Sequence, residues 1–314
     1  MAVAESPLPR ADAPWIGPLL AVIGVLGFSF KAILIKLAYA WEPIDAVTLL
    51  TLRMIYSAPI FALMAFFAAH RSRAAPPITR GDWLRILWLG FIGYYLSSLV
   101  DFMGLQYVTA ALERLMLYLY PTIVIVLSAM FFRQRITGRI VVALLLSYAG
   151  IALVFGRDLA LAGDAHALWL GGALVFAGAF LYAVYLVGAG PVIARLGSLR
   201  FIALAMLTSA AFVFLQFVAT RPLATLAAPQ RIQLLSLTMA IFATVLPTYL
   251  VAEAIKRIGA NRTSLVGSLG PVFTIWLGWW ILGEPVYWIQ LGGAALVLAG
   301  VMLVTLKPRA SARS

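Results

Sequence analysis

Ten long apolar stretches dominate this chain, at about 15–38, 44–69, 84–106, 110–132, 139–156, 168–190, 199–219, 234–256, 263–282 and 286–306. Each approaches the roughly 20 apolar residues that a helix needs to cross about 30 Å of hydrocarbon. A chain that is 64% hydrophobic and 11% charged has little left from which to build a soluble domain. Its longest remaining loops lie near 70–83, 157–167 and 220–233. The expected fold class is an all-α membrane protein with ten transmembrane helices. The first stretch ends in Ala38-Tyr39-Ala40, which resembles a signal cleavage site. It is longer than the apolar core of a signal and holds Lys31 and Lys36, so it reads as a retained helix.

The chain also repeats itself in register at an offset of 150 residues. Pro121 falls on Pro271, Ala110 on Ala260, Leu115 on Leu265, Ile125 on Ile275 and Leu127 on Leu277. Ala149-Gly150-Ile151-Ala152-Leu153-Val154 falls on Ala299-Gly300-Val301-Met302-Leu303-Val304. Each copy holds five apolar stretches. Two copies with an odd number of spans must lie in the bilayer with opposite orientations. That arrangement is characteristic of secondary transporters, whose binding site lies between the halves.

Charge distribution fixes an orientation. With the N-terminus in the cytoplasm, sixteen Lys and Arg side chains fall on the inner side, from Arg10 and Arg71 to Lys307 and Arg313. Only Arg157, Arg221 and Arg231 fall outside, and four basic residues lie within spans. The positive-inside rule then puts both termini in the cytoplasm. Outer loops carry the acids Glu42, Asp158, Asp164 and Glu284. The turn Arg133-Gln134-Arg135 has Gly283-Glu284-Pro285 as its repeat mate, basic against acidic, as opposite sides require. The net charge of +12 is thus a membrane-topology signal, and no nucleic-acid partner is expected.

Several motifs resemble the EamA family of the drug/metabolite transporter superfamily. Leu269-Gly270-Pro271 precedes Leu282-Gly283-Glu284-Pro285, and Tyr120-Pro121 is the partner in the first half. Gly292-Gly293 leads to Ala299-Gly300 in the last span. Gly171-Gly172 through Ala177, then Tyr182-Ala183-Val184-Tyr185, resembles the opening of a second repeat, and Arg53 matches a frequent basic position. The first repeat departs from the pattern by carrying Arg133-Gln134-Arg135 where Gly-Glu is common. The resemblance implies two EamA-like repeats, 15–156 and 157–306, between cytoplasmic tails at 1–14 and 307–314. It further implies a central cavity, alternating access and a small organic metabolite, often an exported amino acid, in the inner (plasma) membrane.

Charges inside hydrocarbon need partners or a wet cavity, since each is worth about 2.5–3.5 kcal/mol against insertion. The intramembrane set is Lys31, Lys36, Arg53, Asp101, Glu113, Arg114 and Glu253. Lys36 and Glu253 lie near span ends, where snorkelling explains them. Tyr94, Ser98, Asp101 and Leu105 share one helical face in the third span, and Arg114, Tyr118, Pro121 and Ile125 share one in the fourth. A short turn joins these spans, so Asp101 and Arg114 are expected to pair, either as a structural clasp or at the outer edge of a substrate cavity. Repeat mates of the fourth-span face are Ser264, Ser268 and Pro271. Tyr182, Tyr185 and Tyr249 lie within other spans, and a buried tyrosine hydroxyl wants a partner. The expected substrate-binding set is Lys31, Tyr94, Ser98, Asp101, Arg114, Tyr118, Tyr182, Tyr185, Tyr249, Ser264 and Ser268. Pro121, Pro247 and Pro271 read as hinges or static kinks. Small residues one turn apart, Gly17, Ala21 and Gly24 or Ala295 and Ala299, read as close helix contacts.

The first span holds lysines rather than an acid, which disfavours a cationic drug and favours a substrate with a carboxylate. Aromatic and large apolar amino acids fit the tyrosines. Sugars, nucleosides and organic cations are the alternatives, with a non-transporting scaffold behind them. Asp101, Glu113 or Glu253 offers a site for a coupled proton, whereas facilitated diffusion needs none. There is no cysteine, and His70 and His166 fall in loops, so neither a thiol nucleophile nor a metal site is expected and no cofactor is required. An intramembrane enzyme would need paired aspartates, a nucleophile with a base, or a metal; the chain is read as a non-enzyme.

Overall fold

The computed structural model describes residues 15–71, 77–132 and 136–305. Among them every regular element is helical. α1 (Ile16–Trp41) and α2 (Ala46–Arg71) are long rods. A third rod consists of α3 (Arg80–Gly90), a π turn (Phe91–Leu96) and α4 (Ser97–Gly104). α5 (Ala110–Leu117) and α6 (Tyr120–Phe132) form a fourth, broken at 118–119. α7 (Gly138–Leu161), α8 (Ala165–Leu196) and α9 (Ser198–Thr220) follow. Then come α10 (Gln230–Ala240), a π turn (Ile241–Val245), α11 (Leu246–Gly267), α12 (Gly270–Leu277), a π turn (Gly278–Leu282) and α13 (Trp288–Thr305).

Local sequence sets where several rods begin. Thr79 opens α3 with a reciprocal cap: its hydroxyl accepts from the Asp82 N–H, and its own N–H donates to Asp82 Oδ2 at 2.8 Å. Thr109 caps α5 by accepting from the Leu112 N–H, and Asp164 caps α8 by accepting from the Ala167 N–H. Gly197, at φ 81°, closes α8 and lets α9 start at once.

Eight helical rods are long and apolar enough to cross a membrane. The last two, Gly270–Leu282 and Trp288–Leu303, are shorter than expected. The ninth stretch had read as continuous over 263–282. Its start is separate, because the backbone leaves helical geometry at Gly259 (φ 82°) and α11 is two helices joined at that kink; the second of them is the first arm of the ninth stretch and stops at a turn at 268–269. α13 has 18 residues, and at about 1.5 Å per residue it is still close to the thickness of a hydrocarbon core.

The interruptions repeat. π turns begin at Phe91 and Ile241, breaks fall at 118–119 and 268–269, and α3 and α10 begin at Arg80 and Gln230. Each pair is separated by the same 150 residues as Pro121 and Pro271. Pro121 and Pro271 are not mid-helix kinks, since each is the second residue of a helical segment, α6 or α12, that follows a turn, whereas Pro247 lies inside a continuous helix just after the π turn Ile241–Val245. In a first turn the missing N–H leaves no intrahelical bond unmade. The backbone has therefore already broken where Pro121 and Pro271 stand.

Packing follows the same offset. α1 lies against α11 and α12, while its counterpart α8 lies against α4 and α6; α2 packs on α9 and α7 on α13. Gly17, Ala21 and Gly24 are buried on α1, and a Cβ at Gly24 would stand 2.7 Å from Val251. Ala295 and Ala299, however, are exposed. The face of α13 that meets α7 carries Gly293, Val297 and Gly300, rotated from the expected one. A Cβ at Gly150 would stand 2.5 Å from the Gly293 carbonyl oxygen, so the two backbones touch there. Gly150→Ala should thus destabilise the fold by about 1–3 kcal/mol. Gly156→Ala on the same helix, where a Cβ meets nothing within 4 Å, should be neutral or stabilising by up to about 1 kcal/mol. Thermal unfolding of both variants in detergent checks the contrast; equal melting temperatures would mean that α7 and α13 do not meet this way.

Candidate functional site

Three polar side chains of α1 reach across to the α4–α5 hairpin. Lys31 Nζ donates to Asp101 Oδ2 at 2.7 Å and lies 3.8 Å from Glu113 Oε1. Lys36 Nζ donates to the Val108 carbonyl at 2.9 Å, and the Tyr39 hydroxyl donates to the Phe102 carbonyl at 2.8 Å. Asp101 and Glu113 are buried, the latter completely. From α2, the buried Arg53 lays its guanidinium over the Phe102 ring, 4.9 Å from the centroid, within the electrostatic reach of Asp101. Lys31, Arg53, Asp101 and Glu113, two basic and two acidic side chains from four helices, thus meet inside the bundle.

Two expectations are corrected by this geometry. Asp101 takes Lys31 as its ion-pair partner rather than Arg114, because α1 inserts its lysine between the two arms of the hairpin. Lys36 does not snorkel: its ammonium is bonded to Val108 and lies within the electrostatic reach of Glu284. Glu253 pairs with Arg257 one turn on, at 3.0 Å.

The hydrogen-bonding of the charged cluster is incomplete. Asp101 Oδ1, both Glu113 oxygens, Arg53 Nε and Arg114 Nε are buried without a partner among the described residues. Buried polar groups are ordinarily satisfied, and such a concentration of exceptions calls for a functional reason. Arg114 rests against Gly270, at the start of α12. A Cβ at that position would stand 2.9 Å from Arg114 Nη2, so a larger residue would push the guanidinium aside. The Gly270 carbonyl lies 3.1 Å from Ser29 Oγ and 3.1 Å from Thr274 Oγ1.

Beyond Arg114 runs a chain of tyrosines. Ring centroids are 6.2 Å apart for Tyr118–Tyr120, 5.4 Å for Tyr120–Tyr182, 5.5 Å for Tyr182–Tyr185 and 5.0 Å for Tyr94–Tyr185. The Tyr94 and Tyr185 hydroxyls share a hydrogen bond of 3.1 Å. Arg114 acts electrostatically on Tyr118, Tyr120 and Tyr182, which ties the aromatic wall to the charged cluster. Gly93 permits the closest approach, since a Cβ there would collide with the Tyr185 ring. Lys31, Asp101, Arg114, Tyr94, Tyr118, Tyr182 and Tyr185 therefore form one continuous group.

Two other expected residues, Tyr249 and Ser98, make none of these contacts. Tyr249 is 48% exposed and joins none of these ring contacts. Ser98 is half-buried, and its neighbour Ser97 is the one that bonds to α8, donating to the Gly178 carbonyl at 3.1 Å. Ser268 sits in the turn between α11 and α12. The side chain of Ser264 lies outside the described residues. Three residues that adjoin this group are absent from the expected binding set: Arg53, expected only as an intramembrane charge at a family-matched basic position, Glu113, expected only as one of three candidate proton sites, and Tyr120, noted only as the neighbour of Pro121.

Above the cluster, Glu284 accepts from the Ala110 N–H at 3.0 Å and so caps α5 from the α12–α13 loop. Burial pushes its carboxyl above the ordinary range, against the opposing pull of that N–H and of Lys36. Beside it, Asp158 takes Arg157 at 2.8 Å and the Thr109 hydroxyl at 3.3 Å, and Arg157 lies 3.4 Å from the Tyr287 ring centre. Arg221 pairs with Asp45 and Arg231 with Glu42. Thr48 and Arg221 hold the Asp45 carboxyl below its usual value despite burial. Two surface concavities lie elsewhere. One, of about 480 Å³, is lined by Arg85, Phe131, Val187, Gly188 and Pro191; an apolar groove of about 490 Å³ runs past Trp276 and Trp279. Neither reaches the charges, which are enclosed.

Known proteins place this architecture. A model of the EamA-like transporter family matches residues 15–156 and again 169–306. The uncharacterized transporter YcbK of Bacillus subtilis (strain 168) is 32% identical over 305 residues, which is 93% of this chain and 94% of that one. The uncharacterized transporter YetK of the same organism is 26% identical, covering 80% of this chain and 76% of its own. A crystal structure at 19% identity superposes with a TM-score of 0.61 over 91% of this chain and 95% of its own, a likeness of fold.

The Lys31 contacts yield a stability prediction. Lys31→Met leaves two carboxyl groups buried without a cation at hydrogen-bond distance and should cost about 3–5 kcal/mol. Adding Asp101→Leu removes one of those carboxyl groups and should recover a large part of the loss. Denaturant or thermal unfolding of the two single variants and the double variant measures this; strictly additive effects would mean that the pair is not coupled.

Proposed function

Because this chain belongs to the EamA-like transporter family, we propose that it is a secondary transporter that exports small metabolites bearing a carboxylate, foremost amino acids with aromatic or large apolar side chains. The observation that carries this reading is the enclosed cluster of Lys31, Arg53, Arg114, Asp101 and Glu113 beside the chain of five tyrosines. Unpartnered guanidinium nitrogens suit a carboxylate, and the start of α12 next to Arg114 adds the positive end of a helix. Unpartnered carboxylate oxygens suit an ammonium group. The tyrosine wall suits an apolar or aromatic side chain with a polar tip to meet.

Transport in this reading proceeds by alternating access between two inverted five-helix repeats, 15–156 and 157–306, with both termini cytoplasmic in the inner (plasma) membrane. Its support is the common offset of 150 in the breaks and π turns, and the exchange of packing partners between α1 and α8. Broken, proline-started segments α6 and α12 are then the moving parts around the site, and Pro247 marks a further joint.

Counterflow in proteoliposomes tests the substrate class. Vesicles loaded with unlabelled phenylalanine should trap labelled phenylalanine and leucine, but not glucose, uridine or an organic cation. Arg114→Ala should raise the half-saturating concentration about tenfold or more, the effect of losing one charge-assisted contact. Trapping of a non-carboxylate solute alone would replace the substrate while leaving the family intact. Topology has its own test, made simple because the chain has no cysteine. Gln134→Cys and Val286→Cys should react with an impermeant thiol reagent from opposite sides of the membrane; reaction from one side refutes the inversion.

A further inference from the structure

Glu113 is the group in this structure whose surroundings least suit a charge. It is fully enclosed, and neither carboxyl oxygen accepts a hydrogen bond among the described residues. Lys31, the nearest cation, gives its hydrogen bond to Asp101 at 2.7 Å and stays 3.8 Å from Glu113. Other charges that face Glu113 are Asp101 on α4, which repels its carboxylate and stands close enough to share a proton with it, and Arg114 on its own helix, which attracts. Arg53 on α2 lies over Phe102 and acts on Asp101. On α8, the groups near this level are Tyr182 and Tyr185, turned into the tyrosine chain; α12 and α13 carry no charged residue. On α7, Asp158 and Arg157 are engaged with each other, Thr109 and Tyr287. One lysine is thus shared unequally between two carboxyl groups, and the second is left without a counter-charge at bonding distance. An ionised carboxylate in that position is strongly unfavourable, whereas a neutral carboxyl is not.

We infer that Glu113 is the proton carrier of the transport cycle, holding a proton when the site is enclosed and empty and surrendering it when a substrate ammonium group takes its place. This inference rests on the amino-acid reading above. Its logic is local pairing in a buried site: the Glu113 oxygens lack a hydrogen-bonding positive group of their own, and either a bound proton or an ammonium group supplies it. Opening to one side lets –COOH release H⁺ to water and the carboxylate accept the ammonium group; opening to the other reverses the exchange. No other bond changes, and one proton moves against one substrate. The process is antiport.

Infrared difference spectroscopy of the substrate-free protein, titrated from acid to alkaline pH, tests the proton site without any assumption about substrate. The wild type should show a protonated-carboxyl band that persists above neutral pH, and Glu113→Gln should lack it. A band that survives in Glu113→Gln, or none in the wild type, overturns the inference. Should Glu113→Gln fail to fold, Glu113→Asp keeps a carboxyl and must shift the band's pH midpoint; an unshifted midpoint is equally fatal. The coupling is read with labelled phenylalanine in proteoliposomes whose membrane potential is clamped. An acid interior should drive accumulation toward about tenfold per pH unit for one exchanged proton. Glu113→Gln should lose that accumulation. Accumulation driven instead by an alkaline interior, or indifference of the wild type to the gradient, refutes the antiport. Failure to carry phenylalanine at all overturns the substrate reading, and the infrared result still decides whether Glu113 holds the proton.

Discussion

Hydrocarbon offers no partner to a backbone N–H or C=O, and that constraint governs where this chain can depart from a straight helix. The breaks at 118–119 and 268–269 lie beside other protein segments. Tyr118 and Leu119 are buried, and the carbonyl of Gly270 lies within hydrogen-bond reach of Ser29 on α1 and Thr274 on α12. The π turn before Pro247 is met by α1, whose Gly27 lies against the Pro247 ring and the Phe242 carbonyl. Thr244 and Thr248 add their hydroxyls to the carbonyls of Met239 and Thr244. Irregular backbone, small residues on α1 and polar side chains are therefore three aspects of one requirement. At these three places a neighbour comes close enough to shield or satisfy the loosened helix.

The scaffold repeats at 150 residues but its chemistry does not. Asp101, Glu113 and Arg114 belong to the first half; their counterparts are Val251, Thr263 and Ser264. Tyr118 and Tyr120 correspond to Ser268 and Gly270. Gly270 provides the space that Arg114 occupies, so the small residue of one half is matched to the large residue of the other. A duplicated frame supplies two similar sets of contacts, α1 with α11 and α8 with α4. A charge cluster present in one copy makes a single site rather than two.

Periodicity and composition revealed the helices, the repeat and the intramembrane charges, because those follow from apolar run length and from the high energy of a charge in lipid. Spacing along the third and fourth spans also brought out Tyr94, Asp101, Arg114 and Tyr118, which share faces within a few turns. Partner choice was not legible in the same way. Lys31 is separated from Asp101 by 70 residues, and only the passage of α1 beside the hairpin makes it the partner in place of the nearer Arg114. Tyr120 fell off the helical spacing of Arg114 and Tyr118 because the helix breaks between them, which rotates Tyr120 back toward Tyr182. Exposed Tyr249 and the exposed alanines of α13 illustrate the converse: in a chain apolar on all sides, residue type says little about which face turns inward.

Enclosure gives the incomplete cluster its meaning. Surface ion pairs such as Arg231–Glu42 and Arg221–Asp45 can trade partners with water at little consequence. Lys31, Asp101 and Glu113 cannot, because each is held at low exposure by α1, α4 and α5, and a change at one must be answered by another. In the proposed cycle, the lysine bound to Asp101 holds α1 to the hairpin while Glu113 remains unbonded beside it. A substrate that supplies both a carboxylate and an ammonium group would satisfy the unpartnered arginine nitrogens and carboxylate oxygens together, and one that supplies only a single charge would leave the others buried and unmet. Selection against singly charged solutes would then come from the groups such a solute fails to satisfy, which is the more powerful form of discrimination in a dry site.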